Sequence, residues 1–160
     1  MRADDGFIAY VYSNNHHQTV IKDREVVLKT NTGSENWDDM YKVKTKQRGI
    51  LVLDVTYTPD EGKFPGIMLT TSDGVVSDES WQCIDGDIAA GKANISTNVQ
   101  YVLDNWPYAV EEDIGHAEYI KRRYPDGFSP HAKLIWGSSH QNRTSPEKPH
   151  NVLCIRAPGD

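Results

Sequence analysis

The sequence has few features that would place the protein in a membrane or on nucleic acid. No run approaches the roughly 18 consecutive apolar residues of a membrane-spanning helix, so we expect no membrane insertion. The chain has 23 acidic and 17 basic residues, and its net charge of −6 disfavours a nucleic-acid partner. We interpret the short basic cluster Lys121-Arg122-Arg123 as a solvated surface turn.

Sequence motifs for catalysis are also missing. There is no Gly-x-Ser-x-Gly elbow and no Gly-rich phosphate loop after an apolar strand-like run. The stretch Glu111-Glu112-Asp113-Ile114-Gly115-His116 has one histidine and no second one at zinc-site spacing. We therefore predict that the protein is not an enzyme.

The length and composition are those of one folded domain. The chain has 160 residues, of which 38% are apolar and 25% charged, and we expect a single domain over residues 1–160. Residues 1–5 precede an apparent strand without the apolar core of a signal peptide. We expect the chain to be an excised domain or a mature segment.

Strand signals dominate the sequence. Apolar, β-branched and aromatic runs separated by turn residues predict strands at 7–12, 25–29, 40–44, 49–57, 66–71, 131–136 and 151–156. The run at 49–57 is the most apolar, which predicts a central strand, and Asp73-Gly74 predicts a hairpin turn. Residues 84–130 lack clear periodicity, so we predict loops there and no helix longer than about two turns. This pattern predicts an all-β sandwich.

The chain has only two cysteines, Cys83 and Cys154, each within an apolar strand-like segment. A disulfide bond between them would indicate an extracellular protein. Two buried free thiols in a cytosolic protein are the alternative, because small apolar cysteines pack well in cores.

Several short sequence motifs, in the same order along the chain, resemble those of galactose-binding-domain-like extracellular β-sandwiches. They are Ala3-Asp4-Asp5-Gly6-Phe7-Ile8-Ala9-Tyr10-Val11, Phe64-Pro65-Gly66-Ile67-Met68, Ser80-Trp81-Gln82-Cys83, Asp104-Asn105-Trp106-Pro107-Tyr108-Ala109, Ala132-Lys133-Leu134-Ile135-Trp136 and Asn151-Val152-Leu153-Cys154-Ile155-Arg156. The family's Asn-Gly turn is replaced at residues 12–17, and its Gly-Trp pair is missing from residues 84–103. Both differences fall in predicted loops, where ligand specificity usually resides.

The resemblance implies a jelly-roll β-sandwich of two antiparallel sheets. It also implies that Cys83 pairs with Cys154, which places the strand at 79–83 beside the final strand. In the chain-entropy model, closing a loop of this length stabilises the fold by roughly 4 kcal/mol. Trp81, Trp106 and Trp136 lie within these motifs. Trp37 lies within Asn36-Trp37-Asp38-Asp39-Met40-Tyr41, which resembles a Trp-containing loop of the same family, and we assign all four tryptophans to the core.

The expected function follows from the resemblance and from the loop composition. We expect a secreted, non-catalytic recognition or adhesion module that binds glycans through loops at one end of the sandwich. A module that interacts with extracellular matrix, surface proteins or mineral, without sugar binding, is the alternative. The candidate ligand contacts are Tyr12, His16, His17, Tyr108, His116, Tyr119 and Tyr124.

Acidic loops suggest a structural calcium ion, as sandwiches of this kind commonly hold one. Its candidate ligands are Asp4, Asp5, Asp38, Asp39, Asp85 and Asp87. Solvated acidic turns are the alternative. Two glycosylation sequons, at Asn94 and Asn142, lie in segments that we predict to be polar turns.

Overall fold

The computed structural model describes residues 2–3, 6–13, 23–29, 50–57, 66–72, 74–85, 88–112, 114–137 and 150–156. In chain order its elements are β1 (Arg2–Ala3), β2 (Gly6–Ser13), β3 (Asp23–Lys29), β4 (Ile50–Tyr57), β5 (Ile67–Met68), β6 (Gln82–Asp85), α1 (Ile88–Thr97), α2 (Val99–Asn105), β7 (Val110–Glu111), α3 (Ile114–Arg123), β8 (Ile135–Trp136) and β9 (His150–Arg156). The strand predicted at 40–44 lies outside the described residues.

Five strands form an antiparallel sheet, the large sheet, in the order β3-β2-β4-β9-β6. The central position of β4 confirms the prediction from its apolar run, since a strand covered on both faces needs apolar residues on both. Leu53 of β4 pairs with Ala9 on one side and with Cys154 of β9 on the other. β9 also pairs with β6, which confirms the predicted neighbourhood of these two segments.

The other strands form the small sheet, which is also antiparallel, in the order β1-β5-β8-β7. β5 leads into the predicted hairpin, where Thr70 pairs with Val76 and the Thr71 amide donates to the Val75 carbonyl at 2.9 Å. Gly74 has φ of 95° in this turn. Glycine adopts that conformation without steric cost, which explains why the Asp-Gly sequence predicted the hairpin.

Three helices correct the prediction for residues 84–130. α1 and α3 each contain 10 residues, which exceeds the predicted limit of two turns, and α2 contains 7. The buried residues of α1 are Gly91 and Ile95, and those of α3 are Ala117 and Ile120. Because each buried face includes only one large apolar residue, the helical period is faint in the sequence. None of the described helices is long and apolar enough to cross a membrane.

Alternating residues of β4 and β9 pack into two different cores. Leu53, Val55, Val152 and Cys154 belong to the inter-sheet core, which also contains Ile67 and Ile135 of the small sheet. Their neighbours on the same strands face α1 and α2 in a helix-covered core of Ile50, Val52, Ile95, Val99, Val102, Trp106, Leu153 and Ile155. The prediction of two antiparallel sheets is confirmed, whereas helices cover the large sheet of a chain predicted to be all-β.

α1 lies close against the large sheet. A Cβ atom at Gly91 would be 2.8 Å from Ile84 Cδ1 and 3.0 Å from Leu153 Cδ2, so the absence of a side chain there permits the close approach. The next residue, Lys92, forms an ion pair with Asp54 of β4 at 2.7 Å. The side chains are 26% and 15% exposed, and their pairing offsets the cost of partly burying each charge.

The tryptophans in the described residues belong to the cores. Trp81 and Trp136 are fully buried and Trp106 is 7% exposed, which confirms the structural role predicted for them. The Trp81 indole N–H donates to the Val76 carbonyl at 2.9 Å and thereby connects the inter-sheet core to the hairpin. Trp37 lies outside the described residues.

Cys83 and Cys154 form the disulfide bond that the resemblance implies. They are directly paired residues of β6 and β9, and both are buried in the inter-sheet core. Their separation of 71 residues encloses all three described helices together with β7 and β8. The bond therefore joins the two ends of the segment that covers the outer faces of the sheets.

Removing the disulfide bond should lower the free energy of unfolding by roughly 4 kcal/mol, because the unfolded chain regains the entropy of an open loop. The test is urea denaturation of the oxidised protein, the thiol-reduced protein and the variant Cys83→Ala/Cys154→Ala. We expect similar losses in the last two, relative to the oxidised protein. An unchanged denaturation midpoint after verified reduction would contradict the stabilising role of this bond.

Candidate functional site

The structure gathers three of the predicted ligand contacts on one element. His116 and Tyr119 belong to α3, and Tyr124 follows the helix directly. Tyr108 lies on a different segment, and Tyr12 belongs to β2. His16 and His17 lie outside the described residues. The candidate site therefore centres on α3, which sequence reasoning had assigned to a loop.

The buried face of α3 fixes which side chains point outwards. Ala117 and Ile120 lie on successive turns and pack in a third core with Met68 of β5 and Leu134. Phe128 and Ala132, from the segment that follows the helix, close this core. α3 thus covers the small sheet, and its remaining side chains are available to solvent.

His116 and Tyr119 form a stacked pair on α3. Their spacing of three residues brings side chains together on a helix surface. The ring centroids are 5.8 Å apart and the planes differ by 19°, a favourable offset-stacked arrangement. Tyr119 is 44% exposed. The pair therefore presents a pre-ordered aromatic surface with polar groups attached.

Two arginines continue this surface at the end of α3. Arg122 and Arg123 lie three and four residues after Tyr119, which places them beside it on the helix. The Arg123 guanidinium lies over the Tyr124 ring, 5.3 Å from its centroid. We define the α3 surface as His116, Tyr119, Arg122 and Arg123. The sequence interpretation of the basic cluster as a solvated turn missed this arrangement, because the helix had not been recognised.

Lys121 has a structural role that separates it from the two arginines. Its ammonium group donates to the Pro130 carbonyl at 2.9 Å and pairs with Glu118 at 3.4 Å. These contacts tie the last turn of α3 to the segment that returns to β8. Lys121 is accordingly less exposed than Arg122 and Arg123.

The support beneath α3 includes a buried serine. Ser77 Oγ accepts from the Leu69 amide at 2.9 Å and donates to the Lys133 carbonyl at 2.6 Å. The hydroxyl thus joins the hairpin after β5 to the segment before β8. These are the segments that carry Met68 and Leu134, against which α3 packs.

A surface ion pair reinforces the same junction. The Lys133 ammonium lies 2.9 Å and 3.0 Å from the two carboxylate oxygens of Glu79. This hydrogen bonding is the main reason that the pKa of Glu79 is lowered and the pKa of Lys133 is raised. The negative charges of Glu111 and Asp78 also favour protonated Lys133. Both partners are well exposed to solvent, so the contribution to stability is small.

Tyr108 occupies the segment that connects the two sheets. The Cys83 amide donates to the Pro107 carbonyl at 3.0 Å, and the Ala109 amide donates to the Trp81 carbonyl at 2.8 Å. Residues 107–109 thereby extend the edge of β6, and the chain then enters β7 of the small sheet. Tyr108 is 62% exposed there. Tyr108 is therefore exposed, as Tyr119 is, but it does not belong to α3.

The two glutamates that precede α3, Glu111 and Glu112, have different environments. Glu111 belongs to β7, and Glu112 is only 3% exposed, with its amide donating to the Leu134 carbonyl at 2.8 Å. In the part of the chain that the structure describes, no group of three or more His, Cys, Asp or Glu residues could hold a metal ion.

The calcium ligands predicted from sequence remain predictions. Asp85 is in β6, and the others, Asp4, Asp5, Asp38, Asp39 and Asp87, lie outside the described residues. Of the sequons, Asn94 lies within α1 beside the fully buried Ile95, which corrects its assignment to a turn. Asn142 is outside the described residues.

No family model, curated protein or solved structure matches this chain. The resemblance to galactose-binding-like sandwiches therefore stays a prediction from the sequence phrases.

Replacing Ser77 with alanine should destabilise the support of α3. The Leu69 amide and the Lys133 carbonyl would each lose their bond to the hydroxyl in a buried setting, at a cost of about 1–3 kcal/mol. Urea denaturation measures the loss. Ser80→Ala is the matched control, because the Ser80 hydroxyl is exposed and bonds to the surface residue Asp78, and we expect a change within about 0.5 kcal/mol. Equal stabilities of the two variants would refute the supporting role of Ser77.

Proposed function

We propose that the protein is a non-catalytic extracellular recognition module that binds glycans through the α3 surface. The observation that carries this proposal is the exposed Tyr119 ring held in a stack with His116. The buried disulfide bond between Cys83 and Cys154 supports an oxidising, extracellular setting. The expected jelly-roll relationship to galactose-binding-like domains belongs to the same proposal.

The α3 surface has the chemistry that sugar binding requires. An aromatic ring offers apolar area to the C–H face of a sugar, while the Tyr119 hydroxyl can exchange hydrogen bonds with sugar hydroxyls. The stack with His116 restricts the Tyr119 ring before ligand arrives. Less conformational entropy is then lost on binding, which favours affinity from a small contact area.

The position of these residues on a packed helix also favours recognition. A helix whose inner face is packed into a core positions its side chains more precisely than a loop does. Ala117 and Ile120 provide that packing, and Lys121 fixes the last turn. Ligand contacts would thus be pre-positioned on the outer face of α3 rather than assembled on binding.

A matrix or mineral interaction module is the competing proposal, and the acidic character of the chain favours it. Three carboxylates, those of Asp78, Glu79 and Glu111, each raise the pKa of the Lys133 ammonium group. Such a surface attracts cations rather than sugars. In this case binding would depend on those carboxylates and would be independent of Tyr119.

Tyr119→Ala should reduce glycan binding, because it removes the aromatic platform. The loss expected for about 1 kcal/mol of aromatic contact is roughly fivefold in Kd. Binding is measured on an array of neutral, sulfated and uronic-acid glycans, with titration of the strongest ligands. Tyr101→Ala is the matched control, since Tyr101 is 49% exposed but belongs to α2.

The same experiment separates the two functions. Wild-type binding that Tyr119→Ala weakens and Tyr101→Ala leaves unchanged supports the α3 surface as a glycan site. Equal binding by wild type and Tyr119→Ala would exclude that role. An absence of binding to every glycan, together with adsorption to calcium mineral, would support the competing proposal.

A further inference from the structure

Exposed positive charge beside Tyr119 identifies the class of glycan that the α3 surface fits. We infer that the ligand is an anionic sugar, carrying sulfate or carboxylate groups, which stacks on Tyr119 and is held by Arg122, with Arg123 adding positive charge nearby. This inference rests on the proposed glycan binding and adds the chemical class of the ligand.

The first support is that the basic residues of α3 differ in whether their charged groups already have protein partners. Lys121 is occupied by the Pro130 carbonyl and Glu118. Arg122 is exposed, and no salt bridge or hydrogen bond involves its side chain in the ranges that the structure describes. Because this guanidinium group has no hydrogen-bond or ion-pair partner among the described residues of a chain of net charge −6, it is available to bind an anion.

The second support is the position of Arg123. Its guanidinium lies over the Tyr124 ring, and Tyr124 is itself packed edge-on against the buried Phe128 at 6.5 Å. The stacking limits the freedom of the arginine side chain. Arg123 thus adds a positive charge next to Arg122 at this end of the helix, which attracts anions through space.

The third support is the spacing of the charge and the aromatic ring. Tyr119 and the two arginines occupy adjacent turns of one helix face, so their Cβ atoms are about 5–6 Å apart. A sugar ring stacked on Tyr119 would therefore have substituents within reach of the Arg122 side chain. Neutral sugars would make the stacking contact alone, whereas anionic sugars would make both contacts.

Basic residues at the end of a helix also have a purely structural explanation. Positive charges stabilise the carboxyl end of a helix through its macrodipole, whether or not a ligand is present. That explanation accounts for Lys121 and for the presence of charge. It predicts no dependence of ligand choice on Arg122 or Arg123, which makes the two accounts experimentally distinct.

The test is an array of matched glycan pairs, each a neutral glycan beside its sulfated or uronic-acid form, at about 0.15 M salt. We expect wild type to bind the anionic member at least about tenfold more tightly than the neutral one. Arg122→Gln/Arg123→Gln should abolish that difference and retain the binding of neutral glycans. Arg122→Gln alone should reduce it, and because the substitution removes no hydrogen bond or ion pair to a described residue, this variant should fold normally.

Lys133→Gln is the matched control, since it removes one positive charge that is paired with Glu79 instead of facing ligand. It should keep the full preference for anionic glycans. Equal binding of both members of each pair by wild type would overturn the inference and leave the proposed glycan binding intact. An equal loss in Lys133→Gln and Arg122→Gln would also overturn it. No binding to any glycan would overturn both proposals.

Discussion

β4 and β9 contact a core on each face, and the rest of the described structure depends on this double contact. Leu53 and Cys154 face the small sheet, whereas Val52 and Leu153 face α1 and α2. A shift of one residue in β9 would exchange these faces and place every side chain in the wrong core. The disulfide bond to Cys83 opposes such a shift of β9 relative to β6, because it joins directly paired positions of these two strands. The bond therefore acts on strand register as well as on chain entropy.

The layers outside the two sheets serve different purposes. α1 packs closely on the large sheet through Gly91 and is held by the Lys92–Asp54 ion pair, which are contacts that stabilise the fold. α3 covers the small sheet through Ala117 and Ile120, and it presents an aromatic pair and two arginines to solvent. One helix face thus provides core packing, while the opposite face carries the proposed recognition of anionic glycans. The scaffold and the site can be changed separately.

The long strands β2, β3, β4 and β9 and the hairpin turn could be predicted from sequence, because β-branched runs and an Asp-Gly turn are local signals, whereas the short strands β1 and β7 were not predicted. The pairing of Cys83 with Cys154 needed the resemblance, since two cysteines alone left free thiols as an alternative. The helices could not be predicted, because glycine and alanine mark much of their buried faces, at Gly91 and Ala117. Because α3 was not predicted, the arrangement of the residues at the candidate site could not be predicted either. Tyr119 was recognised as a candidate, but its neighbourhood with Arg122 becomes apparent only once both residues are placed on a helix.

The most direct test of the central claim is an intermolecular nuclear Overhauser measurement on the protein bound to a sulfated oligosaccharide. The account predicts contacts between the Tyr119 ring protons and the C–H face of one sugar, with saturable shifts of the Arg122 and Arg123 guanidinium signals. Contacts to Tyr101 or Tyr108 in place of Tyr119, or saturable binding that leaves the α3 surface unperturbed, would contradict it.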